Sequence, residues 1–286
     1  RQRQMCIRDS NNFSPRYLTN VNGTIYFRAN DGITGEELWK SDGTLSGTMP
    51  AADICPGIRG SKPIRLTNLN GALLFVANDG TSGYELWKSD VATPGVTRLT
   101  DNNGNRSSFP VEDNGSYNVA NLLLTNSNGI LFFAATDGIT GFELWKSDGT
   151  NAGTKLVADI QNGLNSSNPQ FITNVNGKVF FAANDGLSGD ELWISDGTDT
   201  GTGLASDIRP NRPSSHPLFL TNLNGALVFQ ADDGLHGFEL WKHIEIVNRY
   251  PTNLEIARTL IAENAGSNAV VGAFTTTDPD AGDTFT

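Results

Sequence analysis

The sequence has no long hydrophobic run and comparatively few basic residues. Its apolar stretches fall well short of the roughly 18 residues that a membrane helix requires, so we expect no transmembrane segment. Lysine and arginine together number 20 against 31 acidic residues, which gives a net charge of -11 at pH 7. Because a nucleic-acid backbone is itself strongly negative, this charge balance argues against a nucleic-acid partner.

Known catalytic motifs are also missing. The sequence contains no HExxH, no GxSxG, no Walker loop and no GxGxxG between a strand and a helix. Its three histidines, His216, His236 and His243, neither repeat nor stand beside an obvious serine or cysteine, and the third lies past the last repeat. We interpret them as solvated loop residues. We expect that the protein is not an enzyme, although scattered loop residues are able to form an active site.

Cysteine is limited to Cys6 and Cys55. Cys6 lies within Arg1 to Ser10, whose sequence RQRQMCIRDS resembles a translated sequencing-library adapter; the alternative is a genuine basic N-terminal arm. We exclude residues 1–10 from fold reasoning. Cys55 is then the only cysteine, so no disulfide is able to form within the chain.

A tandem repeat dominates the rest of the sequence. A threonine precedes each tryptophan at one constant interval, from Thr19 before the first tryptophan to Thr221 before the last. An aspartate follows each of the first four tryptophans at another constant interval. All five tryptophans occur in the triplet Glu-Leu-Trp, and they are evenly spaced except for one longer period between the second and the third: Trp39, Trp87, Trp145, Trp193 and Trp241.

The longer period contains an insertion. Its extra length lies between Asp101 and Thr125, because the constant intervals hold on either side of that stretch. Asn103 to Tyr117 is therefore a polar insertion and the expected place for a binding loop.

Each repeat is expected to contain four antiparallel strands. In the fourth copy the predicted strands are FITNV, KVFFAAN, DELWI and GLASDI, separated by turns at Asn176-Gly177, Asp185-Gly186 and Ser195 to Thr198. Four strands in a repeat of this length are typical of one blade of a β-propeller. The sequence therefore predicts an all-β, propeller-like array of five four-stranded blades. The last blade is expected to be incomplete, because no Asp-Gly-Thr turn follows Lys242.

The repeated acidic residues have two interpretations. The glutamates of the Glu-Leu-Trp triplets are either a ring of metal or substrate ligands or carboxylates that accept backbone hydrogen bonds, and we favour the second. The aspartates of the Asp-Gly turns are Ca²⁺ ligands or, as we favour, ordinary turn residues. The Ser-Asp-Gly-Thr turns are also interpreted as structural, with side chains that bond their own backbone. The glutamates are Glu37, Glu85, Glu143, Glu191 and Glu239, and the turn aspartates are Asp31, Asp79, Asp137, Asp185 and Asp233.

The string ELWKSDGT, preceded by ANDGxxG, resembles the ELWxxDGT repeat family of bacterial surface and secreted proteins. The resemblance covers about Asn11 to Lys242, and we assign residues 11–247 to the propeller. It implies a propeller-like array in a large protein that is extracellular or at the cell surface. The family supplies no agreed biochemical activity.

Residues 248–286 are similar to a cadherin-type repeat. The similar strings are NRYPTNLEI, IAENAGSNAVVG and TTTDPDAGDTFT, and they imply the N-terminal part of a truncated cadherin-like β-sandwich. Arg249 departs from the family pattern, where an acidic residue is usual, and the alternative is that the Asp-Pro-Asp-Ala-Gly-Asp string is only a turn. The resemblance implies a Ca²⁺ cofactor bound by Asn248, Glu263, Asp278 and Asp280, with Asp283 a weaker match.

Two functions are compatible with these features. The first is a non-enzymatic extracellular interaction or adhesion scaffold, with protein or glycan ligands at the cell surface and a Ca²⁺-dependent cadherin-like spacer. The second is a propeller enzyme that acts on extracellular polysaccharide. The strong identity among the repeats favours the first, because catalysis requires asymmetry.

Overall fold

The structure is a computed structural model that describes residues 13–89, 95–100, 104, 106–111, 124–210 and 213–243, and the strands at 253–256 and 274–277. These residues form strands and turns but no helix, and hence none that is able to cross a membrane. The chain divides into two compact units, Arg1–Lys242 and His243–Thr286.

Five antiparallel sheets follow one another along the first unit. The strands of each sheet pair in chain order, so every sheet is a meander. Sheet 1 contains β1 (Arg16–Val21), β2 (Thr24–Asn30), β3 (Glu36–Ser41) and β4 (Met49–Ala52). Sheet 2 contains β5 (Ile64–Leu69), β6 (Ala72–Asn78), β7 (Tyr84–Ser89) and β8 (Thr97–Arg98).

The later sheets repeat this order. Sheet 3 contains β9 (Thr125–Ser127), β10 (Ile130–Ala135), β11 (Glu143–Ser147) and β12 (Lys155–Ala158). Sheet 4 contains β13 (Gln170–Val175), β14 (Lys178–Asn184), β15 (Asp190–Ser195) and β16 (Thr202–Ser206). Within the described residues sheet 5 has three strands, which are β17 (Leu218–Leu223), β18 (Ala226–Asp232) and β19 (Phe238–His243).

The predicted fold class is confirmed as an all-β, propeller-like array of five sheets, of which the last has three strands within the described residues. Local turn chemistry explains why the strand positions could be predicted. Asn176 and Gly177 both have positive φ, 52° and 88°, as a two-residue hairpin turn requires. The predicted fourth strand extends too far, because β16 ends at Ser206 and Ile208 instead donates its amide hydrogen to Glu191.

The hydrophobic core lies between neighbouring sheets. Leu73 and Phe75 of sheet 2 pack against Val21, Tyr26 and Leu38 of sheet 1, and all five side chains are buried. The sheets therefore depend on one another for burial, since each side chain of this size contributes about 1.5–3 kcal/mol when it is fully buried.

The first strands of neighbouring sheets are joined by side chains. Thr19 Oγ1 donates to the carbonyl of Leu66 at 3.1 Å, and Thr173 Oγ1 donates to that of Leu220 at 3.0 Å. Asparagines at the hairpin turns act similarly, as Asn176 Nδ2 donates to the carbonyl of Gly225 at 2.9 Å. These bonds give Thr19, Thr125 and Thr173 of the repeated threonines a role between sheets.

In the second unit, two strands are described. β20 (Asn253–Ile256) and β21 (Phe274–Thr277) pair antiparallel. The cadherin-like β-sandwich stays a prediction.

Candidate functional site

One end of the sheets gathers the features that vary between repeats. In an antiparallel meander, the turn from the second to the third strand lies at the same end as the linker that leaves the fourth strand. We call this end the turn face. It consists of the turns 31–35, 79–83, 137–141, 185–189 and 233–237 and of the linkers 53–63, 99–124, 159–169 and 207–217, as far as these are described.

Each linker is held between two sheets by a buried serine. At the first junction, the amide of Asn78 in sheet 2 donates to the carbonyl of Ser61 at 3.0 Å, and the amide of Lys62 donates to the carbonyl of Glu36 at 2.9 Å. The corresponding serines at the other junctions make the same bond to the following sheet, and all are almost fully buried: Ser108, Ser167 and Ser215. This serine follows the glutamate of the triplet at a nearly constant interval, a signal that the sequence analysis missed.

The triplet glutamate holds the same linker. Glu37 is 1% exposed and accepts hydrogen bonds from the amides of Ile54, Cys55 and Ser61 at 2.8–3.2 Å, and from the Ser61 hydroxyl. Burial raises the pKa of the Glu37 carboxyl, and the donated bonds oppose this rise. The structure supports the backbone-acceptor interpretation, because the carboxylate oxygens are already occupied by the protein.

The turn aspartates bind their own backbone. Asp31 Oδ1 accepts from the amides of Ile33 and Thr34 at 2.9 Å and from the Thr34 hydroxyl at 3.1 Å, and these bonds hold the pKa of Asp31 below its usual range. Asp233 makes the equivalent bonds, and its contact with the His236 side chain helps to lower its pKa to about 2. The carboxylates therefore remain ionised at neutral pH. Among the described residues, no group of three or more acidic, histidine or cysteine side chains is placed to hold a metal ion.

The second glycine of the Asp-Gly-x-x-Gly turn is required by the linker. A Cβ atom at Gly35 would lie 2.5 Å from the carbonyl oxygen of Ile58, and one at Gly141 would lie 1.9 Å from that of Asn165. Any side chain there would push the linker away from its sheet. The recurrence of this glycine in all five copies was the available signal.

The histidines lie close to carboxylates. His236 Nδ1 is 2.8 Å from Asp233 Oδ2, which raises the pKa of the imidazole, and His216 Nδ1 is 3.4 Å from Asp190 Oδ2. His243 is the last residue of β19, so its prediction as a residue past the last blade was wrong.

A cleft of about 550 Å³ opens between the first linker and the second turn. It is lined by Arg59 and Lys62, which would attract anionic groups, and by Cys55, Thr81 and Tyr84. Burial raises the pKa of the Cys55 thiol, and the nearby carboxylates of Glu37, Asp79 and Asp53 raise it further. The thiol therefore stays protonated and is a poor nucleophile.

The insertion is partly a core element. Phe109 is 1% exposed and stacks on Phe133 with ring centroids 5.4 Å apart. The other described residues of Asn103 to Tyr117 are 104, 106–108, 110 and 111. Phe109 fills space between sheets 2 and 3, directly after the junction serine Ser108.

The predicted metal ligands lie outside the described residues. They are Asn248, Glu263, Asp278 and Asp280, together with the weaker match Asp283. The Ca²⁺ site therefore stays a prediction.

Comparison with known proteins shows similarity in fold only. No family model matches the chain, and no curated protein matches it. A puromycin hydrolase is 14% identical, with a TM-score of 0.47, over 92% of this chain and 42% of that protein. The tricorn protease is 16% identical, with a TM-score of 0.38, over 85% of this chain and 23% of that protein. TolB from Acinetobacter baumannii is 15% identical, with a TM-score of 0.37, over 77% of this chain and 52% of that protein.

These comparisons correct the expectation that the protein is not an enzyme. The similar structures include peptidases such as the tricorn protease and the puromycin hydrolase, so a fold of this kind is present in enzymes. At these identities the likeness shows the fold and assigns no reaction to this chain.

Proposed function

We propose that the protein is an extracellular interaction scaffold, in which the five sheets present ligand-binding surfaces and the C-terminal residues form a Ca²⁺-dependent spacer. The observation that carries the proposal is the use of the repeated polar residues. The triplet glutamates of the first four sheets, the turn aspartates and the hairpin asparagines satisfy hydrogen bonds inside the array. The surfaces that differ from copy to copy are then the ones available to a ligand.

The turn face is where those differences collect. It carries the cationic cleft beside Arg59 and Lys62, the insertion that contains Phe109, and turn residues that change between copies. A rigid scaffold with variable loops at one end is a common arrangement for binding proteins. Protein or glycan ligands at the cell surface are the partners that this arrangement fits.

The Ca²⁺ part of the proposal rests on the cadherin-like resemblance. Glu263, Asp278 and Asp280 would repel one another when brought together, and Ca²⁺ would offset that repulsion with oxygen ligands from all three. Calcium binding would then stiffen the spacer. Extracellular modules bind Ca²⁺ with dissociation constants on the order of 10⁻⁴ to 10⁻³ M.

Calorimetric titration of the full chain with CaCl₂ tests the spacer. We expect binding in that affinity range and its loss in the double variant Asp278→Ala, Asp280→Ala. The matched control is Asp199→Ala, which removes an exposed turn carboxylate and should bind Ca²⁺ as the parent does. If the parent gives no Ca²⁺ heat, or the double variant gives the same heat, the spacer proposal fails.

A glycan array combined with reducing-sugar detection tests the scaffold. Retention of the chain on a polysaccharide that stays intact supports binding as the role. Release of reducing ends from the same polysaccharide would replace the scaffold proposal with a catalytic one.

A further inference from the structure

The tips of the turns carry aliphatic side chains that the fold does not use. The third residue of each Asp-Gly-x-x-Gly turn is highly exposed, and a tip of this kind normally holds a polar residue. In four of the five copies it is aliphatic: Ile33 at 77% exposed, Ile139 at 75%, Leu187 at 67% and Leu235 at 83%. The second copy has Thr81 there, which shows that the turn also accepts a polar residue.

Two linkers add to this apolar set. Ile58 is 81% exposed and Leu164 is 79% exposed. The turn that carries Ile33 lies against the linker of Ile58, since a Cβ placed at Gly35 would be 2.5 Å from the carbonyl oxygen of Ile58. The turn of Ile139 touches the linker of Leu164 in the same way, through Gly141. The exposed aliphatic side chains therefore lie on the turn face, with Ile33 next to the linker of Ile58 and Ile139 next to the linker of Leu164.

That surface also carries fixed negative charge. Every tip residue follows a turn aspartate by two positions, and hydrogen bonds from the turn keep these aspartates ionised. Among the described residues, Arg209 is paired with Asp232 at 3.3 Å, Arg98 with Asp79 at 2.8 Å and His236 with Asp233 at 2.8 Å. The turn carboxylates left for the cations of a partner are Asp31, Asp137 and Asp185. Two copies of a chain with a net charge of -11 repel each other.

We propose that the turn face is a docking surface for a protein segment whose exposed residues are both apolar and basic. Apolar residues of the partner would cover the aliphatic tips, and its lysines or arginines would face the carboxylates of Asp31, Asp137 and Asp185. Exposed apolar groups bordered by polar residues are typical of interaction sites. The inference deepens the proposed scaffold function and rests on it for the existence of a partner, but it does not depend on Ca²⁺.

A labelled short peptide of alternating leucine and lysine is the probe, and its binding is followed by fluorescence anisotropy. The test variant combines Ile33→Thr, Ile139→Thr, Leu187→Thr and Leu235→Thr, which copies the residue that the second turn already has. We expect the variant to bind the peptide at least about tenfold more weakly. Peptides of alternating serine and lysine, or of leucine and glutamate, should bind both proteins poorly.

The matched control is Leu45→Thr. Leu45 is 68% exposed in the turn between β3 and β4, at the opposite end of sheet 1, so its substitution should leave peptide binding unchanged. Equal melting temperatures for all variants establish that they are folded. These substitutions leave the predicted Ca²⁺ ligands intact, so the CaCl₂ titration reports on the spacer independently.

Three results would overturn the proposal. The first is equal peptide binding by the tip variant and the parent. The second is an equal loss of binding in Leu45→Thr, which would show nonspecific adhesion. The third is a concentration-dependent dimer that disappears in the tip variant, which would identify a second copy of the chain as the occupant.

Discussion

The fourth and fifth sheets contain the same Glu-Leu-Trp triplet in different surroundings. In sheet 4, Glu191 and Leu192 are fully buried, and the following linker donates its amides to Glu191. In sheet 5, Glu239 is exposed and Leu240 is 81% exposed. The glutamate and the leucine of the triplet therefore contribute mainly to the junction with the next sheet, as expected when stability is a sum of nearest-neighbour terms.

The glycines of the turns show the same contrast. A Cβ at Gly35 or Gly83 would clash with the following linker at 2.5 Å, whereas no described residue lies within 4 Å of the equivalent position at Gly237. Among the described residues, the second turn glycine thus contacts a linker only at the junctions between sheets.

The largest expected effect is a difference in the free energy of unfolding between substitutions of the triplet leucines in sheets 4 and 5. Leu192→Ala would leave a cavity among Leu220, Leu227 and Phe229, so we expect a loss of about 2–5 kcal/mol in the free energy of unfolding. Leu240→Ala should change it by less than about 0.5 kcal/mol, because the side chain is exposed. Urea denaturation of both variants measures the difference. Equal losses would mean that the exposed face of sheet 5 is covered in solution.

Substitution of the triplet glutamates in sheets 4 and 5 should give a smaller difference in the free energy of unfolding. Glu191→Ala removes the acceptor of the Ile208 and Ser215 amides, and we expect a loss of about 2–3 kcal/mol. Glu239→Ala serves as the matched control and should be close to neutral, since Glu239 is exposed. A neutral Glu191→Ala would show that water replaces the carboxylate without cost and that Glu191 does not stabilise the junction.

The smallest expected effect is the pH dependence of stability, to which the buried triplet glutamates and the turn aspartates contribute in opposite directions. The pKa values of Glu37, Glu143 and Glu191 are raised, chiefly by burial, so their contribution to stability grows as pH falls toward the usual glutamate pKa of 4.5. The pKa of Asp31 is lowered by hydrogen bonds of its turn, so its contribution is present above the usual 3.8 and is lost below it.

Thermal melting across this range checks the sign. We expect the melting temperature to rise between neutral pH and about 4.5 and to fall below about 3.8. Glu143→Gln should flatten the rise and keep the fall. A melting temperature that declines steadily from neutral pH would contradict the prediction for the buried glutamates.

The sequence was informative where the determinants are local. Asn-Gly and Asp-Gly pairs fix the turns through neighbouring residues alone, so strands such as β14 could be placed in advance. The bonds between sheets join residues that are far apart in the chain, such as Thr19 with Leu66 and Glu37 with Ser61. The partners in these bonds could not be identified from one sequence, although they recur at constant spacings. The role of Phe109 in the core was hidden within a polar insertion.

The exposed third position of each turn has a consequence for how such arrays diversify. The turn is fixed by backbone contacts of Asp31 and Gly35, so the residue at Ile33 changes without a folding cost that selection would resist. Duplication of a repeat adds one more such position at a defined place on the same surface. Recognition is thereby able to evolve one copy at a time, while the residues that join the sheets remain constant.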